Sequence, residues 1–276
     1  MKHDTDAPAS PDSAEAHFSS YATPLVDDAI AHAASLDADP DAEVLHRLRV
    51  TLRRLRSLLW AYRPLLDRGF DDTQRLMFKF LADAAGKTRD WDILIELLDQ
   101  TLDRGEAAPA SLRAARAEAL GSSRETLSQA EIKATLRDAL KQANVALNTA
   151  HQRTPLRKFA CKRLALAEKS LDRRMRTASR AKRGDYASFH EVRKAAKKVR
   201  YLLEFFEPLL TKKQLKRTKP LKKIHQRFGA LNDVVASEAL LQSAHGVFPD
   251  DASGDAAMAA LKKERKRRAK SAAKLL

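Results

Sequence analysis

Apolar residues recur every three to four positions along most of the 276-residue chain, the spacing that places them on one face of an α-helix. The periodic stretches hold few Gly, Pro or β-branched residues, which favours helices over strands. Turn signals divide the pattern into predicted helices at about 20–36, 46–63, 72–103, 110–150 with a break near Gly121, 155–182, from 190 up to the proline at 208, 212–244 and 255–276. The sequence therefore predicts an all-α protein.

One stretch of the chain occurs twice, first from His46 and again from His190. At this constant offset of 144 residues, cations follow each histidine at +3, +7, +8 and +10, and each copy closes with Pro-Leu-Leu. A second block, which contains Gly86 and Gly229, repeats at an offset of 143. We therefore predict a single domain over residues 18–276, built as two repeats of about four helices each, at about 18–150 and 151–276. Residues 1–16 are rich in Asp, Pro, Ala and Ser and are predicted to form a disordered acidic tail.

The cations of the repeated stretch form a stripe along each helix. At about 100° per residue, positions 0, +3, +7 and +10 fall in one sector, beside the apolar face. Like charges at these spacings repel, so the stripe costs helix stability unless an anion lies along it. A solvated helix face is the alternative interpretation, and the recurrence in a second helix favours an anion-binding surface. The candidate ligands of the anion are His46, Arg49, Arg53 and Arg56 in the first copy and His190, Arg193, Lys197 and Arg200 in the second, whereas Arg54 and Lys198 lie off the stripe and are weaker candidates.

The second repeated block adds candidates around its glycine. A glycine inside a helix costs about 1 kcal/mol relative to Ala, so its recurrence indicates close approach by a neighbouring backbone or by a ligand. A helix-packing glycine beside a solvated lysine explains the pattern equally well. The residues that share a face with a glycine, or lie beside that face, are Lys79, Arg89 and Asp90 in the first copy and Lys222, His225 and Asp233 in the second, and we expect the aspartates to orient the lysines.

The charge of the chain is strongly positive and unevenly spread. The net charge is +16: residues 1–150 carry 19 Lys and Arg against 24 Asp and Glu, a net −5, and residues 151–276 carry 33 against 12, a net +21. Such asymmetry implies an anionic partner, which is nucleic acid, anionic lipid or polyphosphate. We expect no metal or cofactor, since there is a single cysteine and no His pair at i,i+4. The lack of a long apolar run and of a secretory signal predicts a cytoplasmic protein that does not enter the membrane.

The motif His46-x-x-Arg49-x-x-x-Arg53-Arg54-x-Arg56, followed by Gly86-x-x-Arg89-Asp90 and repeated later, resembles the CHAD family, a histidine-containing α-helical domain. The resemblance covers about residues 18–276. It implies two four-helix bundles related by pseudo-twofold symmetry around a basic central groove, with one stripe on each wall and with Lys79 and Lys222 contributing. It also implies binding of inorganic polyphosphate, often at polyphosphate granules.

The second copy departs from the family motif in two places. Asn232 stands where the first copy has Arg89, and Glu204 and Glu207 add negative charge at the end of the second stripe. Both changes limit the reach of the second wall.

Noncatalytic polyphosphate binding is the function that these observations predict. Nucleic-acid binding through the same surface is the alternative, although only 6% of the residues are aromatic and no stacking platform is evident. A phosphate-cleaving enzyme would need clustered carboxylates for Mg²⁺ or a P-loop, and neither pattern is present. Whether His46 and His190 contact phosphate directly or only position an arginine stays open.

Overall fold

The structure is a computed structural model, and it describes residues 12–38, 42–101, 109–149, 153–181, 185–244 and 246–276. The predicted all-α class is confirmed: within these ranges the regular elements are helices. They are α1 (Ala14–Ala38), α2 (Ala42–Tyr62), α3 (Arg68–Ala84), α4 (Lys87–Thr101), α5 (Ala110–Gln129), α6 (Ile132–Asn148), α7 (Leu156–Arg180), α8 (Tyr186–Phe205), α9 (Lys212–Leu215), α10 (Thr218–Ser243) and α11 (Asp251–Ala273), with short 3₁₀ turns at Arg63–Leu65 and Glu207–Leu209.

Two helices are divided differently from the prediction. The predicted helix at 72–103 is interrupted after Ala84, so that α3 and α4 are separate. The break in the 110–150 region lies at Glu131, whose φ of 43° is left-handed and therefore ends the helix. It does not lie near Gly121, because Ser123 in the same stretch is buried within α5 and its hydroxyl donates to the carbonyl of Ala84.

The start of α1 corrects the predicted tail. The helix begins at Ala14 rather than near Ser20, and Ser13 and Glu15 are buried. Residues 12–16 are therefore part of the folded domain, because their side chains and backbone contact the start of α7. The rest of the predicted tail, residues 1–11, lies outside the described residues.

The elements follow one another in the same order twice. The series α1, α2, 3₁₀ turn, α3–α4 and α5 matches α7, α8, 3₁₀ turn, α9–α10 and α11, and α6 follows α5 without a counterpart after α11. In the first half α1 packs against α2 and α6, and α2 against α3. In the second half α7 packs against α8, α8 against α10, and α10 against α11. This arrangement accords with a duplicated plan, while the duplication itself stays a prediction.

The two halves share their hydrophobic cores. A large core joins α1, α2, α3, α5 and α6 of the first half to α7, α8, α10 and the end of α11, and at its centre Tyr62 packs on Phe159 while Phe159 packs on Phe206. A smaller core forms where α4 and α5 meet α10 and α11, around Leu98 and Leu261. Helix α4 therefore packs against the opposite half, which makes the molecule one interlocked domain rather than two closed bundles.

The beginnings of α1 and α7 are tied together by reciprocal backbone hydrogen bonds. The amide of Ala14 donates to the carbonyl of Thr154 at 2.8 Å, and the amide of Leu156 donates to the carbonyl of Asp12 at 2.9 Å. Beside them the carboxylate of Glu15, which is 2% exposed, accepts a hydrogen bond from the amide of Thr154. Each half thus fixes the first turn of the other.

We expect Glu15→Ala to lower the free energy of unfolding by roughly 1–3 kcal/mol, because it removes the acceptor beside a partly buried amide. Glu15→Gln keeps an acceptor oxygen at the same place and should lower the free energy of unfolding clearly less. Urea unfolding monitored by circular dichroism measures both variants. If the two variants match wild type, the contact does not hold the halves together.

Candidate functional site

Helices α2 and α8 pack side by side, and the structure brings the two predicted stripes together. The phenol of Tyr201 on α8 lies close to the guanidinium of Arg53 on α2. Arg193 and Lys197 on α8 have Arg53 among their nearest charges. We call Arg53, Arg193 and Lys197 the cation cluster. It consists of basic side chains from two different helices, and the like charges of Arg53 and Arg193 lie close together in it.

Burial makes this cluster electrostatically costly. Loss of solvent, followed by the repulsion of Arg53 and Arg193, lowers the pKa of Lys197 to about 5. Burial likewise lowers the pKa of the Arg53 and Arg193 guanidinium groups. On α10, burial and then the charge of Arg200 lower the pKa of His225 to about 4. Lys197 and His225 are therefore neutral at pH 7 in the free protein, since a further positive charge is unfavourable there.

The cation cluster lies in a cleft of about 960 Å³ between α2 and α3 on one side and α7 and α8 on the other. Nine Lys and Arg side chains line the cleft, against two carboxylates, Asp72 and Glu191. Arg63 pairs with Asp72, and Arg174 and Lys194 pair with Glu191. The nine cations are Arg53 and Arg56 from α2, Arg75 and Lys79 from α3, Arg174 from α7, and Arg193, Lys194, Lys197 and Lys198 from α8.

The predicted site residues fall into three groups. Arg53, Arg56, Lys79, His190, Arg193 and Lys197 line the cleft. Arg49, Arg89, Arg200, His46 and His225 lie close to these charges without lining the cleft. Lys222 is exposed and outside the cleft lining.

The aspartates do not orient the lysines as expected. Asp90 forms an ion pair with Arg49 at 3.0 Å, and Lys79 pairs with Asp83 on its own helix. Asp233 lies close to Arg193 and Lys197 and partly offsets their charge. The helical wheel placed the aspartates beside the lysines of the same helix, but α2 and α8 bring arginines nearer.

Sequence reasoning gave Lys198 only as a weaker candidate and did not name Arg75 or Arg174, although all three line the cleft. Lys198 lies off the stripe, yet its ammonium sits 4.5 Å from the ring centroid of Trp60, and burial lowers its pKa to about 8. Arg75 and Arg174 come from α3 and α7, which the stripe pattern does not include. A wheel drawn for one helix cannot show which neighbouring helices complete a cleft.

Gly86 and Gly229 recur for different reasons. The Arg49 Nη1 donates to the carbonyl of Gly86 at 3.0 Å, and a Cβ at position 86 would lie 2.6 Å from that nitrogen. The close approach predicted at Gly86 is therefore made by an arginine side chain. A Cβ at Gly229 would meet nothing within 4 Å.

His190 is held in one tautomer. The hydroxyl of Tyr186 donates to the Asn232 Oδ1 at 2.8 Å, and the His190 Nδ1 lies 3.2 Å from both oxygens. Asn232 and Asp233 are neighbours in α10, and Asn232 partly offsets the rise that burial causes in the pKa of Asp233. Because both oxygens facing Nδ1 are acceptors, we infer that Nδ1 carries the proton. The departure from the family motif at Asn232 thus orients His190, while burial lowers the pKa of His190.

Comparison with known proteins identifies the family. The family model of the CHAD domain matches residues 20–242. The chain belongs to the CHAD domain family. No curated protein matches this CHAD chain.

Two solved structures share the CHAD fold of this chain. The crystal structure of the CHAD domain from the plant Ricinus communis is 23% identical, with a TM-score of 0.74 over 97% of this chain and 93% of that one. PptA from Streptomyces chartreusis is 18% identical, with a TM-score of 0.62 over 95% of this chain and 97% of that one. Among the described residues, no helix is long and apolar enough to span a membrane, and none of their His, Cys, Asp and Glu side chains gather in threes suited to a metal ion.

The two glycines should respond oppositely to alanine. We expect Gly86→Ala to lower the free energy of unfolding by about 1 kcal/mol or more, because the new Cβ displaces Arg49 from its hydrogen bonds. Gly229→Ala should raise it by up to about 1 kcal/mol, since alanine is the better helix former and the space is open. Urea unfolding distinguishes the two, and equal stabilisation by both changes would show that Arg49 is not bound at Gly86.

Proposed function

We propose that this CHAD domain binds inorganic polyphosphate in the cleft, without cleaving it. The observation that carries the proposal is the cation cluster, in which two helices hold like charges together in a partly buried place. A polyanion in the cleft removes that repulsion, so part of the unfavourable energy of the free protein becomes affinity. Cytoplasmic polyphosphate granules are the expected place of action.

The chemistry of the cleft suits phosphate chains. Arginine presents several N–H donors in a planar fork that matches phosphate oxygens, and the nine cations come from four helices around one elongated space. Some members of the CHAD family bind polyphosphate. A repeating phosphate anion has a charge at each unit and can meet cations from all four helices at once.

Two aromatic side chains, Trp60 and Tyr201, line the cleft, and the surroundings of Trp60 argue against a nucleic-acid ligand. Trp60 is contacted by two cations, Arg163 and Lys198, each 4.5 Å from the ring centroid. A ring covered in this way is not available for stacking with a base, which is how single strands are usually held. Asp72 and Glu191, the carboxylates of the cleft, are each engaged by cations, which supports binding without metal-assisted hydrolysis.

Charge reversal in the cleft tests the proposal. We expect Arg53→Glu combined with Lys197→Glu to weaken binding of labelled long-chain polyphosphate by at least tenfold at about 0.15 M salt. The control is Lys222→Glu combined with Lys223→Glu, which introduces the same two carboxylates at two exposed residues outside the cleft and should alter affinity less than threefold. Equal losses in both double variants would show that only overall charge matters.

A competition experiment distinguishes polyphosphate from nucleic acid as the preferred ligand. Unlabelled polyphosphate should displace the labelled chain at a lower concentration of charge than DNA or RNA does. If nucleic acid competes as strongly as polyphosphate, and the Arg53→Glu/Lys197→Glu variant loses as much affinity for DNA as for polyphosphate, the alternative function is favoured.

Binding should also take up protons. Lys197 is neutral at pH 7 because its pKa is about 5, and an adjacent polyanion raises that pKa. The complex therefore holds more protons than the free protein, and affinity rises as the pH falls from 7 towards 5. Calorimetry at pH 7 in two buffers of different ionisation enthalpy measures the uptake. We expect up to about one proton fewer in Lys197→Met, and an unchanged uptake in this variant would contradict the assignment.

A further inference from the structure

We infer that the two arginines at equivalent positions of the repeat have different roles: Arg193 contacts the polyanion, and Arg49 is a positioning residue that holds the junction between α3 and α4. The inference rests on the proposed function and concerns one position of each stripe, while Arg53 and Arg56 of the first stripe still line the cleft. It concerns residues that sequence alone treats as identical, since both stand three positions after the histidine.

The guanidinium of Arg49 is held by hydrogen bonds within the fold. Its Nη1 donates to the carbonyl of Gly86 in the α3–α4 junction and to the carboxylate of Asp90 in the first turn of α4, both at 3.0 Å. The guanidinium lies where a side chain at position 86 would be, and it does not line the cleft. Beyond Asp90, α4 enters the small core shared with α10 and α11. The contacts of Arg49 therefore fix the direction in which α4 crosses to the other half.

The guanidinium of Arg193 does not have the equivalent contacts. It lines the cleft, and its Nε is buried without a hydrogen-bond partner among the described residues. No side chain fills the space above Gly229, so Arg193 does not rest on α10 as Arg49 rests on Gly86. Asp233 is the opposite charge that acts most strongly on Arg193, and burial raises the pKa of its carboxyl. The guanidinium of Arg193 thus keeps donors for a ligand.

The histidines repeat the same asymmetry. His190 lines the cleft and is oriented by Tyr186 and Asn232. His46 does not line it, and its buried Nδ1 has no hydrogen-bond partner within the part of the chain that the structure describes. The sequence differs at these points, because Ala42 stands at the position of Tyr186 and Arg89 at that of Asn232. At the histidine and at the position three residues after it, the second copy presents its side chains to the cleft and the first copy does not.

Matched single substitutions test the division of roles in the full chain. We expect Arg193→Gln to weaken polyphosphate binding at least tenfold and to leave the thermal midpoint of the free protein unchanged or higher. Arg49→Gln should lower the midpoint by several degrees and alter affinity less than threefold, measured well below that midpoint. Equal weakening by both variants with unchanged midpoints would overturn the division.

A second variant keeps the test decisive if Arg49→Gln does not fold. Asp90→Asn removes the ion-pair partner of Arg49 and leaves the arginine in place. We expect a lower midpoint and unchanged affinity, whereas a several-fold tighter complex would show that a released Arg49 binds the ligand and would contradict the inference. If wild type itself does not bind polyphosphate, the proposed function and the ligand role of Arg193 both fail. In that case, a lower thermal midpoint for Arg49→Gln than for Arg193→Gln still shows that the two arginines have different structural roles.

Discussion

The repulsion between cations at the α2–α8 interface is the constraint on which the site depends. These charges stay together because the adjacent faces of the same helices are buried. Leu48, Leu52, Leu55 and Leu59 on α2, and Val192, Ala196, Val199 and Leu203 on α8, are each at most 4% exposed. Each buried aliphatic side chain larger than alanine contributes about 1.5–3 kcal/mol. The apolar faces thus offset the repulsion and hold the cation cluster in place.

The interlocking of the halves adds to this preorganisation. Helix α4 packs on α10 and α11, and the reciprocal hydrogen bonds at Ala14 and Leu156 join the other end of the molecule. Because the cleft is formed by helices of both halves, any movement of one half would change the spacing of its cations. The fold therefore fixes the geometry of the cation cluster from two sides.

Much of this arrangement was predictable from the sequence, because the repeat marks it twice. The apolar period predicted the helices, and the spacing after His46 and His190 predicted the stripes that α2 and α8 carry. The break after Ala84 was not predicted, and at this junction an arginine from another helix donates to the carbonyl of Gly86. Arg174 was missed, and Lys198 was given only as a weaker candidate, because their place in the cleft is set by helix packing and not by the pattern of one helix.

Positions that are equivalent in the repeated sequence do not all have equivalent surroundings in the structure. Arg49 and Arg193 share a position in the motif, but their surroundings differ at Gly86 and Gly229. A duplicated plan can thus keep its charges while their contacts diverge.

The most direct measurement is a crystal structure of the chain with a short polyphosphate. The account predicts phosphorus atoms within the cleft between α2 and α8, with phosphate oxygens at hydrogen-bond distance from Arg53, Arg193 and Lys197. Phosphates found only on the outer surface of α11 or α7, with the cleft unchanged, would contradict it.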